Sequence, residues 1–127
     1  MDYTIDRAEL LLEKIIDQMP EFLFKDLNGG VVLMDEIKFH PEAKNKDLLI
    51  MGKYIRFGVR RQINIYFGSI KYVYKNLSDG DLEKILEEIL VHELRHHMEY
   101  KANVKDLILE DEAFIKEYKK KVWHKNN

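Results

Sequence analysis

The chain contains no cysteine, which removes any disulfide framework and any thiolate metal site. A metal ion here would have to be held by His, Asp or Glu. No apolar run approaches the ~20 residues of a membrane span. The opening Met1-Asp2-Tyr3-Thr4-Ile5-Asp6 has neither the basic nor the apolar region of a secretory signal. These absences predict a cytoplasmic protein with no membrane partner. An excess of charge is missing too. Lys+Arg number 21 against 23 Asp+Glu, a formal net charge of −2, so nothing draws the whole surface to nucleic acid, and no nucleic-acid partner is expected. The one basic stretch, Lys116 to Lys125 with Lys119-Lys120-Lys121 inside it, is expected to be a solvated helix end whose cations complement the macrodipole. Internal repeats and low-complexity linkers are also absent.

What remains is a chain of 127 residues, 46% hydrophobic and 35% charged. Those values suit a single globular domain over 1–127 with one core. Leu10, Leu11, Leu12, Ile15, Ile16 and Met19 recur at helical spacing and predict a helix over Asp6 to Met19, with Asp6 and Glu9 as a cap-like start and Pro20 as its stop. Pro20 can open a short turn through Phe22, Leu23 and Phe24, which Asn28-Gly29-Gly30 would end. Val31-Val32-Leu33-Met34 is expected to be a buried strand, and His40 to Asp47 a polar loop in which His40 is a loop residue rather than a ligand. Two further strands are expected over Leu48 to Phe57 and Gln62 to Phe67, with Gly58 in the turn between them. In the second, Ile63, Ile65 and Phe67 alternate with Gln62, Asn64 and Tyr66. Ile70, Val73, Tyr74 and Leu77 suggest another helical segment. A long helix should then run from Asp81, capped by Ser78, to about Ala102-Asn103, with Leu82, Ile85, Leu86, Ile89 and Leu90 facing the sheet. A last helix from about Leu109 would bury Phe114, Ile115, Tyr118 and Val122. The expected class is α+β, with helices packed on a small mixed β-sheet.

His92-Glu93-Leu94-Arg95-His96 lies in the long helix. Side chains at i and i+4 share one helix face, so both imidazoles can converge on one metal ion. Glu93, about 100° round the helix from His92, can reach a water held there and act as general base. Zinc is the expected ion, although imidazole suits several divalent metals. A catalytic zinc usually takes three protein ligands, and Glu99, Asp106, Glu110 and Asp111 are the downstream acids that could supply the third. Glu99 shares the ligand face, whereas Asp106 could instead cap the last helix. His97 could hydrogen-bond a transition-state oxyanion, but it points off that face, and a packing or supporting role is the stronger expectation. Tyr66, at a strand end, could also approach the site.

The run from Ile65-Tyr66-Phe67-Gly68-Ser69 through Val91-His92-Glu93-Leu94-Arg95-His96-His97-Met98-Glu99 to Asp106-Leu107 and Glu110-Asp111-Glu112, with Phe24-Lys25-Asp26-Leu27-Asn28-Gly29-Gly30 before it, resembles the small bacterial zincin-like metallopeptidases. The resemblance covers nearly the whole chain. It implies a zincin-like fold whose active-site helix carries H-E-x-x-H, a metal bound by two histidines and an aspartate, and Glu93 as the catalytic base. The family pattern, H-E-x-x-H-x-x-G-x-x-D, is not followed in full, because Glu99 replaces the glycine and Ala102 the aspartate. With a longer intervening segment, Asp111 becomes the equivalent aspartate. The expected function is a zinc-dependent peptidase acting on peptide or unstructured protein, which would add as a strand near Gln62 to Phe67. The alternative is a non-enzymatic metal-binding or interaction module that keeps the same helix.

Overall fold

The computed structural model describes residues 2–42 and 48–126. Along the last helix it describes side chains as far as Lys105, and beyond that those of Glu112, Ala113, Lys116 and Glu117. The chain forms two compact units, Met1–His97 and Met98–Asn127.

The first unit opens with α1 (Ile5–Gln18). Its cap is Thr4, whose Oγ accepts from the Arg7 amide at 3.2 Å, so the helix begins just before the expected D-x-x-E start. Asp6 serves instead as a first-turn anion, favourable at the positive end of the helix. Pro20 follows the C-cap Met19, and a short 3₁₀ turn runs over Glu21–Phe24. The strands are β1 (Gly30–Met34), β2 (Lys38–Phe39), β3 (Leu49–Ile50), β4 (Gly52–Phe57) and β5 (Arg60–Tyr66); then come α2 (Phe67–Val73) and α3 (Asp79–Asn126).

The fold is α+β with a mixed sheet ordered β1-β5-β4, in which β1 runs parallel and β4 antiparallel to β5. The stretch Leu48 to Phe57 is not one strand. Leu49 and Ile50 pair with Phe39 and Lys38 in a separate ribbon, and the chain changes partner at Met51 before Gly52 pairs with Ile65. The third strand likewise ends at Tyr66. Phe67 begins α2 and still enters the core, edge-on to Tyr3 at 5.7 Å. An inward position in the alternation is thus inward in the helix as well. Tyr74 and Leu77 fall beyond α2, whose C-cap is Tyr74; the Tyr3 hydroxyl donates to the Tyr74 carbonyl.

Register places Gly52, Tyr54, Ile63 and Ile65 on one face of the sheet. The core gathers there, with Ala8, Leu11, Leu12 and Ile15 of α1, Ile63 and Ile65 of β5, Ile70 of α2 and Leu82, Leu86, Leu90 and Leu94 of α3. Each leucine so buried contributes roughly 1.5–3 kcal/mol. The opposite face of β5 carries a polar ladder. Arg60 Nε donates to Gln62 Oε1 (2.9 Å), Gln62 Nε2 to Asn64 Oδ1 (2.6 Å) and Asn64 Nδ2 to Tyr66 Oη (3.4 Å).

The Ser78 cap is present, its Oγ accepting from the Asp81 amide at 3.2 Å, and α3 starts at Asp79. The helix does not stop at Ala102-Asn103; it continues without interruption to Asn126. After Gly80 this segment has neither Gly nor Pro. Ala is the best helix former, and one Asn costs only about 0.7 kcal/mol. Asp106 is therefore an interior helical residue rather than an N-cap. The expected burial of Phe114, Ile115, Tyr118 and Val122 falls outside the described side chains.

Candidate metal centre

The α3 stripe Leu82, Leu86, Leu90, Glu93, Leu94, His97 follows helical spacing, and every member is buried. Glu93 is thus carried into the interior by the same periodicity that buries the leucines, and is only 5% exposed. His92 and His96 lie on the flank of this stripe and are exposed. Their rings meet edge to face, with centroids 4.9 Å apart and Nε2 atoms separated by 3.3 Å. The ligand atoms of His92, Glu93 and His96 all lie within 4.8 Å of one another. A shallow hollow of about 450 Å³, lined by Lys84, Glu87, Glu88, Val91, His92 and Arg95, opens beside the first imidazole.

Two zinc–nitrogen bonds of ~2.0–2.1 Å at a tetrahedral angle require nitrogens ~3.3–3.4 Å apart, so the imidazole spacing fits the ion. An N–H···N hydrogen bond would have a similar length. Beside the two rings Glu93 Oε2 is buried without a hydrogen-bond partner among the described residues, and a lone buried acceptor costs about 1–3 kcal/mol. An ion with its water beside the imidazoles would satisfy it. Burial pushes the Glu93 carboxyl above its usual range, while charge on His92 and His96 pulls the other way.

The edge strand reaches this site at Gly52. A Cβ there would overlap the Ile89 Cγ2 methyl and lie 3.3 Å from Glu93 Cγ. Only glycine lets β4 pass this close to α3. Two residues further along the strand, Tyr54 Oη lies 2.6 Å from His97 Nδ1, and His97 Nε2 lies 2.8 Å from the Lys25 carbonyl. That carbonyl can only accept, so Nε2 carries a proton toward it, and Nδ1 shares a second hydrogen bond with the Tyr54 hydroxyl. His97 is fully buried and ties α3 to β4 and to the 3₁₀ turn. Its place off the ligand face agrees with the sequence; its role as a bolt was legible only in its spacing from Leu90 and Glu93. Gly52 left no such signal.

Of the other candidates, Tyr66 lies on the polar face of the sheet, away from α3. His40 bonds within its own loop, its Nδ1 accepting from the Glu42 amide at 3.1 Å. Glu99 lies in the second unit, one turn beyond His96 in sequence. Asp106, Glu110 and Asp111 lie further along α3, and their side chains are outside the described residues. The expected docking strand also changes. β5 is paired on both sides, so an added strand has no edge to join there, whereas among the described residues β4 has a partner on one side of its sheet only.

Compared with protein families and with curated proteins, the chain finds no match. Among solved structures it resembles a conserved hypothetical protein from T. thermophilus, with a TM-score of 0.69 and 28% identity over 79% of this chain and 98% of that one. No helix among the described residues is long and apolar enough to cross a membrane.

Proposed function

We propose that the chain is a zinc-dependent peptidase of minimal zincin-like build, in which His92 and His96 hold the ion and Glu93 is the general base. The observation that carries this reading is the buried, unpartnered Glu93 carboxylate oxygen beside two imidazoles whose spacing suits tetrahedral ligation. A zinc ion bound there supplies an acidified water and a Lewis acid for the scissile carbonyl.

The chain's own residues do the remaining work. Glu93 accepts a proton as water attacks the carbonyl carbon, then returns it to the departing amine nitrogen, so that one carboxyl serves as base and acid in turn. Its poorly solvated position raises its basicity and suits both steps. His97 and Tyr54 keep α3 and β4 in fixed relation. The β4 edge can hold an extended peptide through main-chain hydrogen bonds.

The test is to measure bound metal and peptide hydrolysis for wild type, His96→Ala, Asp111→Ala and Glu93→Gln. The expected pattern is metal lost from His96→Ala and retained without turnover in Glu93→Gln, while Asp111→Ala tests the aspartate that the resemblance implies. Stoichiometric metal in a wild type that cleaves no unstructured peptide would overturn the peptidase reading and leave a metal-binding module. Wild type that takes up no zinc would remove both.

A further inference from the structure

The turn joining β4 to β5 reads Arg56-Phe57-Gly58-Val59-Arg60-Arg61. Its Phe57 and Val59 are 80% and 86% exposed, the highest among the exposed large hydrophobics of the described residues. The turn is nonetheless held in place. Asn28 Nδ2 donates to the Val59 carbonyl (2.9 Å), the Arg61 amide donates to Asn28 Oδ1 (2.7 Å), and Arg61 Nη1 donates to the carbonyls of Gly58 (2.7 Å) and Arg60 (2.8 Å). Gly58 supplies the positive φ of 58° that the turn needs. None of these bonds requires an apolar side chain at 57 or 59, so the ring and the isopropyl group stand exposed on a turn that other groups hold in place.

Charge surrounds them. Residues 52–61 hold Lys53, Arg56, Arg60 and Arg61 and no acid, in a chain of net charge −2. Lys53, Arg56 and Arg60 are exposed. By register Lys53, Phe57 and Arg60 share one face of the hairpin. The same strand starts at Gly52 against Glu93 and lies at the edge of its sheet. Gly52 to Phe57 spans about 17 Å at ~3.4 Å per residue.

We propose that the β4 edge and its hairpin tip form a docking track for an acidic, extended peptide segment. The segment's carboxylates meet Lys53 and Arg60, and an apolar residue covers Phe57 and Val59, about five residues from the bond held at His92, Glu93 and His96. This rests on the peptidase reading. A strand edge offers backbone pairing that a peptide satisfies, and the single aromatic ring at the tip falls short of the stacked platforms that grip nucleic-acid bases.

The test uses zinc-loaded, full-length Glu93→Gln, which allows binding without turnover, and fluorescein-labelled peptides read by anisotropy. One peptide carries a Glu-Asp-Phe-Glu-Asp block on one side of an apolar centre, and a control replaces the acids with lysine. The acidic peptide should bind at least about tenfold more tightly than the control and weaken with added salt. Phe57→Ser/Val59→Ser and Lys53→Glu/Arg60→Glu should each lose about tenfold without lowering the melting temperature, because the side chains are exposed. Equal binding of both peptides, or unchanged binding by the hairpin variants, overturns the proposal. So does a hairpin variant that loses phosphatidylserine vesicles or an oligonucleotide while keeping the acidic peptide. A peptide held through the hairpin but never cut by wild type would remove the peptidase reading and leave the docking track. Cleavage indifferent to the hairpin variants would do the reverse.

Discussion

Glu93 is asked to be buried and ionisable at once, and its neighbours show how both are met. Leucines before and after it exclude water, while His92 and His96 open one side to solvent. Glu93→Gln should retain zinc and lose turnover by about 10²–10⁴-fold, the range for a general base. It should also raise the melting temperature of the metal-free chain, because it removes a carboxylate that burial disfavours. Equal peptide hydrolysis by variant and wild type would remove Glu93 from the chemistry. Gly52→Ala should destabilise the first unit by about 1–3 kcal/mol through overpacking, read by urea denaturation, and should reduce hydrolysis more than a distant substitution of equal stability cost. A neutral Gly52→Ala would mean that β4 does not press on Ile89 and Glu93 as described.

Elements differ in how much of themselves the sequence discloses. The alternation of Ile63 and Ile65 with Gln62, Asn64 and Tyr66 is local, so the strand and its inward side were legible from five residues. Its place in the middle of the sheet was not, because strand order depends on the pairing of β1 with β5 across some thirty residues. The same holds for Leu48 to Phe57, whose division at Met51 reflects two different partners rather than any break in hydrophobicity. His92, Glu93 and His96 were readable as a cluster because one helix supplies them all; Gly52 and the Tyr54–His97 bond arise where separate elements meet. Helix α3 erred in the other direction, since Asn103 looked like an end without an actual breaker beside it. Asn103→Pro tests this, and should cost about 3 kcal/mol of helix propensity and lower the helical signal in far-UV circular dichroism. An unchanged spectrum would place the break where the sequence first suggested it.

At the scale of the whole molecule, ligand binding and ionisation both feed stability. If zinc binds only the folded chain, free metal at 100 times its Kd should add about 2.7 kcal/mol, read as a higher melting temperature that a chelator reverses and His92→Ala abolishes. A melting temperature indifferent to zinc would argue against the site. On the acid side, Arg7 of α1 bonds Asp79 at the start of α3, with Nε to Oδ2 at 3.0 Å. The guanidinium holds the Asp79 carboxyl below its usual range. A carboxyl with a lowered folded pKa stabilises the fold above its unfolded value and ceases to do so as pH falls through the folded one. Asp79→Asn should therefore bring the acid unfolding midpoint to slightly higher pH, a small effect because both partners are exposed.

The Arg60, Gln62, Asn64 and Tyr66 side chains form links every second residue along β5. Such a chain has a fixed phase. One residue inserted between Gln62 and Asn64 would turn the Asn64 amide and the Tyr66 hydroxyl toward the leucines of the core and carry Ile65 to the face of the ladder. At Gly58, by contrast, the two strands have already parted, and added residues leave the phase intact. The hairpin tip is therefore where this sheet can change length in the course of evolution, and β5 is the ruler against which its other strands are set.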